Sequence, residues 1–106
     1  MPKYLLTASY TVEGLRGLQR DKASGRKATV TQAVEGLGGK IESFYYTFGE
    51  EDVIVIFDLP DNASAAALAF SVSATGLVRT KTTPLLTIEE TDQALGKGVG
   101  YRAPGR

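Results

Sequence analysis

The chain has 106 residues, enough for one domain, and its 42% hydrophobic and 23% charged residues are ordinary globular proportions that allow a modest core. Lys plus Arg is 12 and Asp plus Glu is 12, which argues against a nucleic-acid binder, since that would carry a basic excess. With no His and no Cys, thiol nucleophiles, disulfides, Cys/His zinc sites and His general bases are excluded.

Lys3 to Tyr10 alternates, with Tyr4, Leu6, Ala8 and Tyr10 on one side, and reads as a strand. Thr11 is a helix N-cap, with Glu13 in the first turn and Leu15 and Leu18 on one face. Asp21-Lys-Ala-Ser-Gly25 interrupts that helix, and a second stretch starts near Ser24. Its apolar face is Val30, Val34 and Leu37, with Ala33 beside them, and Gly38-Gly39 ends it. Lys40 to Phe48 is a strand rich in aromatic residues, and Gly49-Glu-Glu-Asp52 is a hairpin turn into the strand Val53 to Phe57. Leu59-Pro-Asp-Asn62 caps an Ala-rich helix to about Thr75, with Leu68, Phe70 and Val72 as its larger apolar residues. Leu77 to Leu86 is a last strand, and Pro84 points to an edge position or a bulge. Thr87-Ile-Glu-Glu90 is a capping box that opens a short helix to about Leu95. The domain is expected over 1–95, and 96–106 is a Gly-rich tail with Lys97, Arg102 and Arg106 and no acid.

The order β-α-β-β-α-β predicts an α+β, ferredoxin-like fold, with two helices on one face of an antiparallel sheet. Val53 to Phe57 is apolar on both faces, so both faces need cover. The expected cover is a second copy packed sheet against sheet, in a homodimer or larger homo-oligomer. The alternative is a monomer whose tail folds under the sheet, with Tyr101 as the anchor in the oligomeric case. The opening Met1-Pro-Lys-Tyr-Leu-Leu-Thr-Ala8 lacks a basic segment followed by a long apolar stretch. The longest apolar run falls far short of the ~20 residues of a membrane helix. A cytoplasmic protein with no membrane and no nucleic-acid partner is therefore expected.

Candidate sites are each weighed against a plainer reading. Glu50, Glu51 and Asp52 form an acidic tip, and a solvated turn with Asp52 bonding turn amides outweighs a metal site there. Tyr4, Tyr10, Phe44, Tyr45, Tyr46 and Phe48 are an aromatic set that suits either core packing or an apolar pocket with hydroxyl anchors. Tyr46 stands out, because it shares a face with Phe44 and Phe48 and its hydroxyl needs a partner if buried. Arg16 and Arg26 flank the helix break and Arg79 lies on the last strand. Any of them turned inward would hold a carboxylate or phosphate, although surface charge is the commoner role. Ala23-Ser-Gly-Arg-Lys27 at a helix start would offer amides to an anion but lacks P-loop spacing.

Three stretches together resemble one family. They are Lys3-Tyr-Leu-Leu-Thr-Ala-Ser-Tyr-Thr-Val-Glu-Gly-Leu-Arg16; Gly38 to Asp61 through Phe-Tyr-Tyr-Thr-Phe-Gly-Glu-Glu-Asp52; and Val78-Arg-Thr80 with Leu85-Leu-Thr-Ile-Glu-Glu90. The chain resembles the GYD domain family, named for a Gly-Tyr-Asp motif at the hairpin. Gly49 and Asp52 match that motif, and Glu51 stands where the family has Tyr. The resemblance implies a dimeric α/β-barrel relative and carries no established activity. The wider fold holds cofactor-free oxygenases, isomerases, haem enzymes and ligand sensors, so fold alone decides little. The expected function is small-molecule binding or sensing without a cofactor. The alternatives are a cofactor-free oxygenase or isomerase, with Tyr46 and Asp52 as acid and base and Arg79 or Arg26 on the oxyanion, or a structural oligomer without a ligand.

Overall fold

Side-chain alternation settles which residues form the core. The computed structural model describes residues 1–106. Its elements are β1 (Lys3–Tyr10), α1 (Val12–Gly36), β2 (Lys40–Tyr46), β3 (Val53–Asp58), α2 (Asn62–Ser73), β4 (Val78–Leu85) and α3 (Ile88–Leu95). The strands form one antiparallel sheet in the order β2-β3-β1-β4, an α+β ferredoxin-like arrangement. Pro84 lies on an edge strand, where a missing N–H is tolerated.

One face of the sheet carries Tyr4, Leu6, Ala8, Val53, Val55 and Phe57, all buried against Val34 of α1 and Ala65 and Leu68 of α2. The register sets these residues side by side: Tyr4 opposite Phe57, Leu6 opposite Val55, Ala8 opposite Val53. Ala33 and Phe70, expected on apolar faces, are exposed. Phe70 follows Leu68 by two residues, which turns it to the far side of α2. The other face of the sheet carries Leu5, Thr7, Ile54, Ile56 and Tyr45, with no helix over it. The strand expected to reach Phe48 ends at Tyr46, and Phe48 is fully exposed in the hairpin loop rather than beside Phe44.

Lys22 breaks α1 with φ 67° and ψ 164°, inside the predicted interruption. The first half is tied to the sheet at its start, where the Thr11 amide and hydroxyl both donate to the Leu77 carbonyl. The second half ends in a Schellman motif. The Gly39 amide donates to the Val34 carbonyl and the Gly38 amide to that of Glu35, with Gly38 at φ 87°. At Gly39 the chain passes so close to β3 that a Cβ would collide with the Asp58 carbonyl oxygen and crowd Leu59. A bulge between Ile41 and Ser43 follows, and Lys3 bridges it, with its ammonium 2.9 Å from both Glu42 and Asp58.

From Leu86 onward the chain leaves the body. The Thr87–Glu90 capping box opens α3, but no residue of α3 is buried, and 96–106 is exposed throughout. The tail does not fold under the sheet. The arm stretches the molecule to 55 Å and its radius of gyration to 16.8 Å, against ~13 Å for a compact domain of this size. No helix is long and apolar enough to cross a membrane.

Two stability predictions follow from backbone fit and polar satisfaction. Gly39→Ala should cost about 2–3 kcal/mol, because the obstacle is backbone and cannot rotate away. Thermal melts should show a loss of roughly 10 °C or more. The Thr82 hydroxyl is buried without a hydrogen-bond partner. Thr82→Val keeps the shape and removes the orphan group, so it should raise stability by about 1 kcal/mol in denaturant titration.

Candidate functional site

The helices do not fill the space above the sheet completely. A cavity of about 40 Å³ lies between the layers, lined by Leu6, Val55, Phe57, Leu68, Phe44 and Val30 among others. It is almost wholly apolar. At one end it meets a second, more polar hollow of about 130 Å³ beneath the first half of α1, bordered by Gly14, Gly17, Asp21 and Leu77. Tyr10, Arg26 and Val78 line both, so they stand at the junction. The first hollow is the inner lobe and the second the outer lobe, and Tyr10, Arg26 and Val78 are the wall, or gate, that they have in common.

The gate follows from local structure. Tyr10 ends β1 on its inward face, and the kink at Lys22 sets the second half of α1 so that Arg26, in its first turn, reaches the sheet. The Arg26 side chain is 28% exposed, and its one acidic neighbour, Asp21, is 3.9 Å away. That is too long for the 2.7–2.9 Å of a charge-assisted hydrogen bond.

Tyr46 stands beside the gate, with its ring 5.6 Å from that of Phe44. Its hydroxyl is sealed from solvent and has no hydrogen-bond partner. Burial pushes its pKa well above the usual phenol range. Tyr10 adds to that rise without reaching hydrogen-bond geometry, and the charge of Arg26 opposes it. Tyr4 is the contrast: fully buried where Tyr46 as a whole is half-buried, it donates to the Asn62 side chain at 2.7 Å, and burial together with the Asp61 charge raises its pKa.

Of the residues singled out from the sequence, Phe44, Tyr46 and Arg26 come together here. Asp52 lies close by but is already engaged. Its carboxylate accepts the Tyr10 amide at 2.8 Å, tying the hairpin to the end of β1 rather than bonding turn amides. Glu50 and Glu51 bind through their carbonyls, which accept from the Ser9 and Thr47 hydroxyls. The acidic tip gathers no metal-holding cluster. Arg79 faces the opposite side of the sheet, opposite Ser9, and Arg16 pairs with Glu13 on the outside of α1 at 3.0 Å. Of the aromatic set, Tyr45 and Phe48 are exposed. Tyr10, one of the aromatic set, lines the cavity as a pocket role requires, but its place between the two lobes and the outer lobe under Gly14 and Gly17 are not legible in the sequence. Both depend on the angle of the α1 kink, which no periodicity encodes.

The fold and cavity define an α+β domain of the ferredoxin-like class with a hollow between sheet and helices. Within that class, a family model described as the GYD domain matches residues 4–95. The chain belongs to the GYD domain family. No curated protein and no solved structure matches the chain.

Tyr46 supplies the prediction. Its folded-state pKa is raised, so its contribution to stability is present below the ordinary phenol pKa of ~10 and is lost as pH rises above it. Tyr46→Phe removes an orphan hydroxyl and should leave the protein as stable at neutral pH, or more so by up to about 1 kcal/mol. In tyrosinate absorbance titrations the variant should lose part of the late-ionising component.

Proposed function

We propose that this domain binds a small molecule and works as a homo-oligomer. The observation that carries the reading is the apolar hollow between sheet and helices, whose rim holds the Arg26 guanidinium without a hydrogen-bonded acid. Buried polar groups are nearly always satisfied, and an exception at the mouth of a cavity is a place for a ligand atom. Binding is favoured over catalysis by the shortage of a base. No acid lines the inner lobe, Asp52 is held by a backbone amide, and burial makes Tyr46 keep its proton.

The open sheet face supports self-association. Leu5, Ile54 and Ile56 lie next to one another in register, with Tyr45 opposite Ile54, and no part of the same chain covers them. The arm supports it too. An eight-residue helix is too short to be stable alone, since isolated helices below ~12–15 residues are marginal in water. Its apolar side chains Leu86, Ile88 and Leu95, followed by Val99 and Tyr101, are exposed and suit a second copy of the chain.

Native mass spectrometry of the untagged protein checks both halves of the reading. The expected spectrum shows a dimer or larger assembly, with extra mass on the subunits where a ligand has been carried through purification. A clean monomer at working concentration would overturn the oligomer. Removing residues 96–106 should raise the concentration below which the assembly falls apart on dilution, and an unchanged assembly would remove the tail from the interface.

A further inference from the structure

We infer that the hollow takes a small amphipathic monoanion, such as a short alkyl carboxylate, with its apolar end in the inner lobe and its carboxylate on Arg26. This rests on the reading of the hollow as a ligand site and adds the chemical class of the ligand.

Size sets the first limit. The lobes hold about 40 and 130 Å³, well below the ~300–1,000 Å³ of pockets for drug-sized ligands. A short alkyl chain suits the inner lobe, whereas an aromatic ring, which takes a cavity of about 150 Å³, and a nucleotide do not fit it. Polarity sets the second. The inner lobe, walled by Leu6, Val55, Phe57 and Leu68, offers a polar group nothing to bond. The buried end of the ligand is therefore apolar.

Charge at the gate sets the third. Arg26 is largely withdrawn from water, and Asp21 at 3.9 Å does not hydrogen-bond to it. Its fork of donors matches a carboxylate in two-point geometry. A ligand carboxylate arriving through the outer lobe would take the place Asp21 now holds loosely, and Asp21, whose side chain is 55% exposed, turns to solvent at little cost. The start of the second half of α1 lies within a turn of Arg26, and the positive end of that helix adds to the field. A cationic ligand would meet Arg26 with like charge. A neutral one would leave Arg26 with only its loose pairing to Asp21.

The test is a ¹H–¹⁵N NMR titration of the full chain at pH 7 with butyrate, butyramide and butylammonium. Butyrate should shift the inner-lobe residues Val30, Phe57 and Val72 saturably. Butyramide should bind at least tenfold more weakly, and butylammonium more weakly still. Arg26→Gln should bring butyrate down to the level of butyramide. If Arg26→Gln does not fold, Arg26→Lys serves, with a loss of severalfold because the charge stays and the two-point geometry goes. Equal binding of butyrate and butyramide, or an Arg26 variant that keeps the preference, overturns the anion assignment and leaves the cavity reading standing. Absence of saturable shifts at the inner lobe with all three probes overturns the cavity reading itself.

Discussion

A four-stranded sheet has two faces, and this chain supplies helices for one. That constraint governs most of what the molecule does. β3 and β1 sit in the middle of the sheet, and their side chains alternate between the helices and open space. The inner set, from Tyr4 to Phe57, makes the core. The outer set, Leu5, Ile54 and Ile56, is nearly as apolar, which a solvated face would not be. Only 12 of 106 residues are buried, a thin core for a chain of this length, and a second chain over the outer face would complete it.

The hollow between the layers has its origin in side-chain size. α2 is Ala-rich, and Ala65 presses its short side chain onto the sheet beside Leu68. Ala8 and the valines of β3 are also short. Small residues facing each other let a helix approach closely at one point but leave gaps where helix and twisted sheet diverge. α1 widens the gap at its kink, since its second half packs chiefly against β2 while its first half is pinned by Thr11 to Leu77. Filling the hollow with larger side chains would have been simple, and an apolar gap of this kind forfeits contacts on every wall. That the gap ends at Arg26, a guanidinium short of a hydrogen-bonded acid, gives it a chemical direction as well as a volume.

The legible features in the sequence were those written as periods or punctuation. Two-residue alternation in Lys3–Tyr10 placed all four inward residues on their side, and Gly38-Gly39, Pro84 and Thr87–Glu90 marked a helix end, an edge strand and a capping box. The helix break between Asp21 and Gly25 was visible as poor helix formers, and it falls at Lys22. Illegible features depended on where the chain turns after a period ends. Phe48 continued the alternation of Phe44 and Tyr46 on paper, yet the strand stops at Tyr46 because the Thr47 amide turns to the Asp52 carbonyl. The three arginines were equivalent in sequence. Only the kink angle selects Arg26, only the pleat sends Arg79 to the far face, and only the outward side of a half-helix leaves Arg16 with Glu13.

Asp52 shows how a hairpin motif and the gate are linked. Its amide donates to the Ala8 carbonyl and its carboxylate accepts the Tyr10 amide, so it clasps the last two inward positions of β1. Tyr10 is one of those positions and also the gate. Its backbone is therefore fixed by the hairpin on one side and by β4, through Val78, on the other. A carboxylate that accepts a backbone amide does this work whether Glu51 or a tyrosine precedes it, because the bond is made by residue 52 alone. The hairpin acts on the gate by holding the strand that carries Tyr10, and a ligand that entered past Arg26 would be bounded on one side by a residue that cannot move without breaking the clasp.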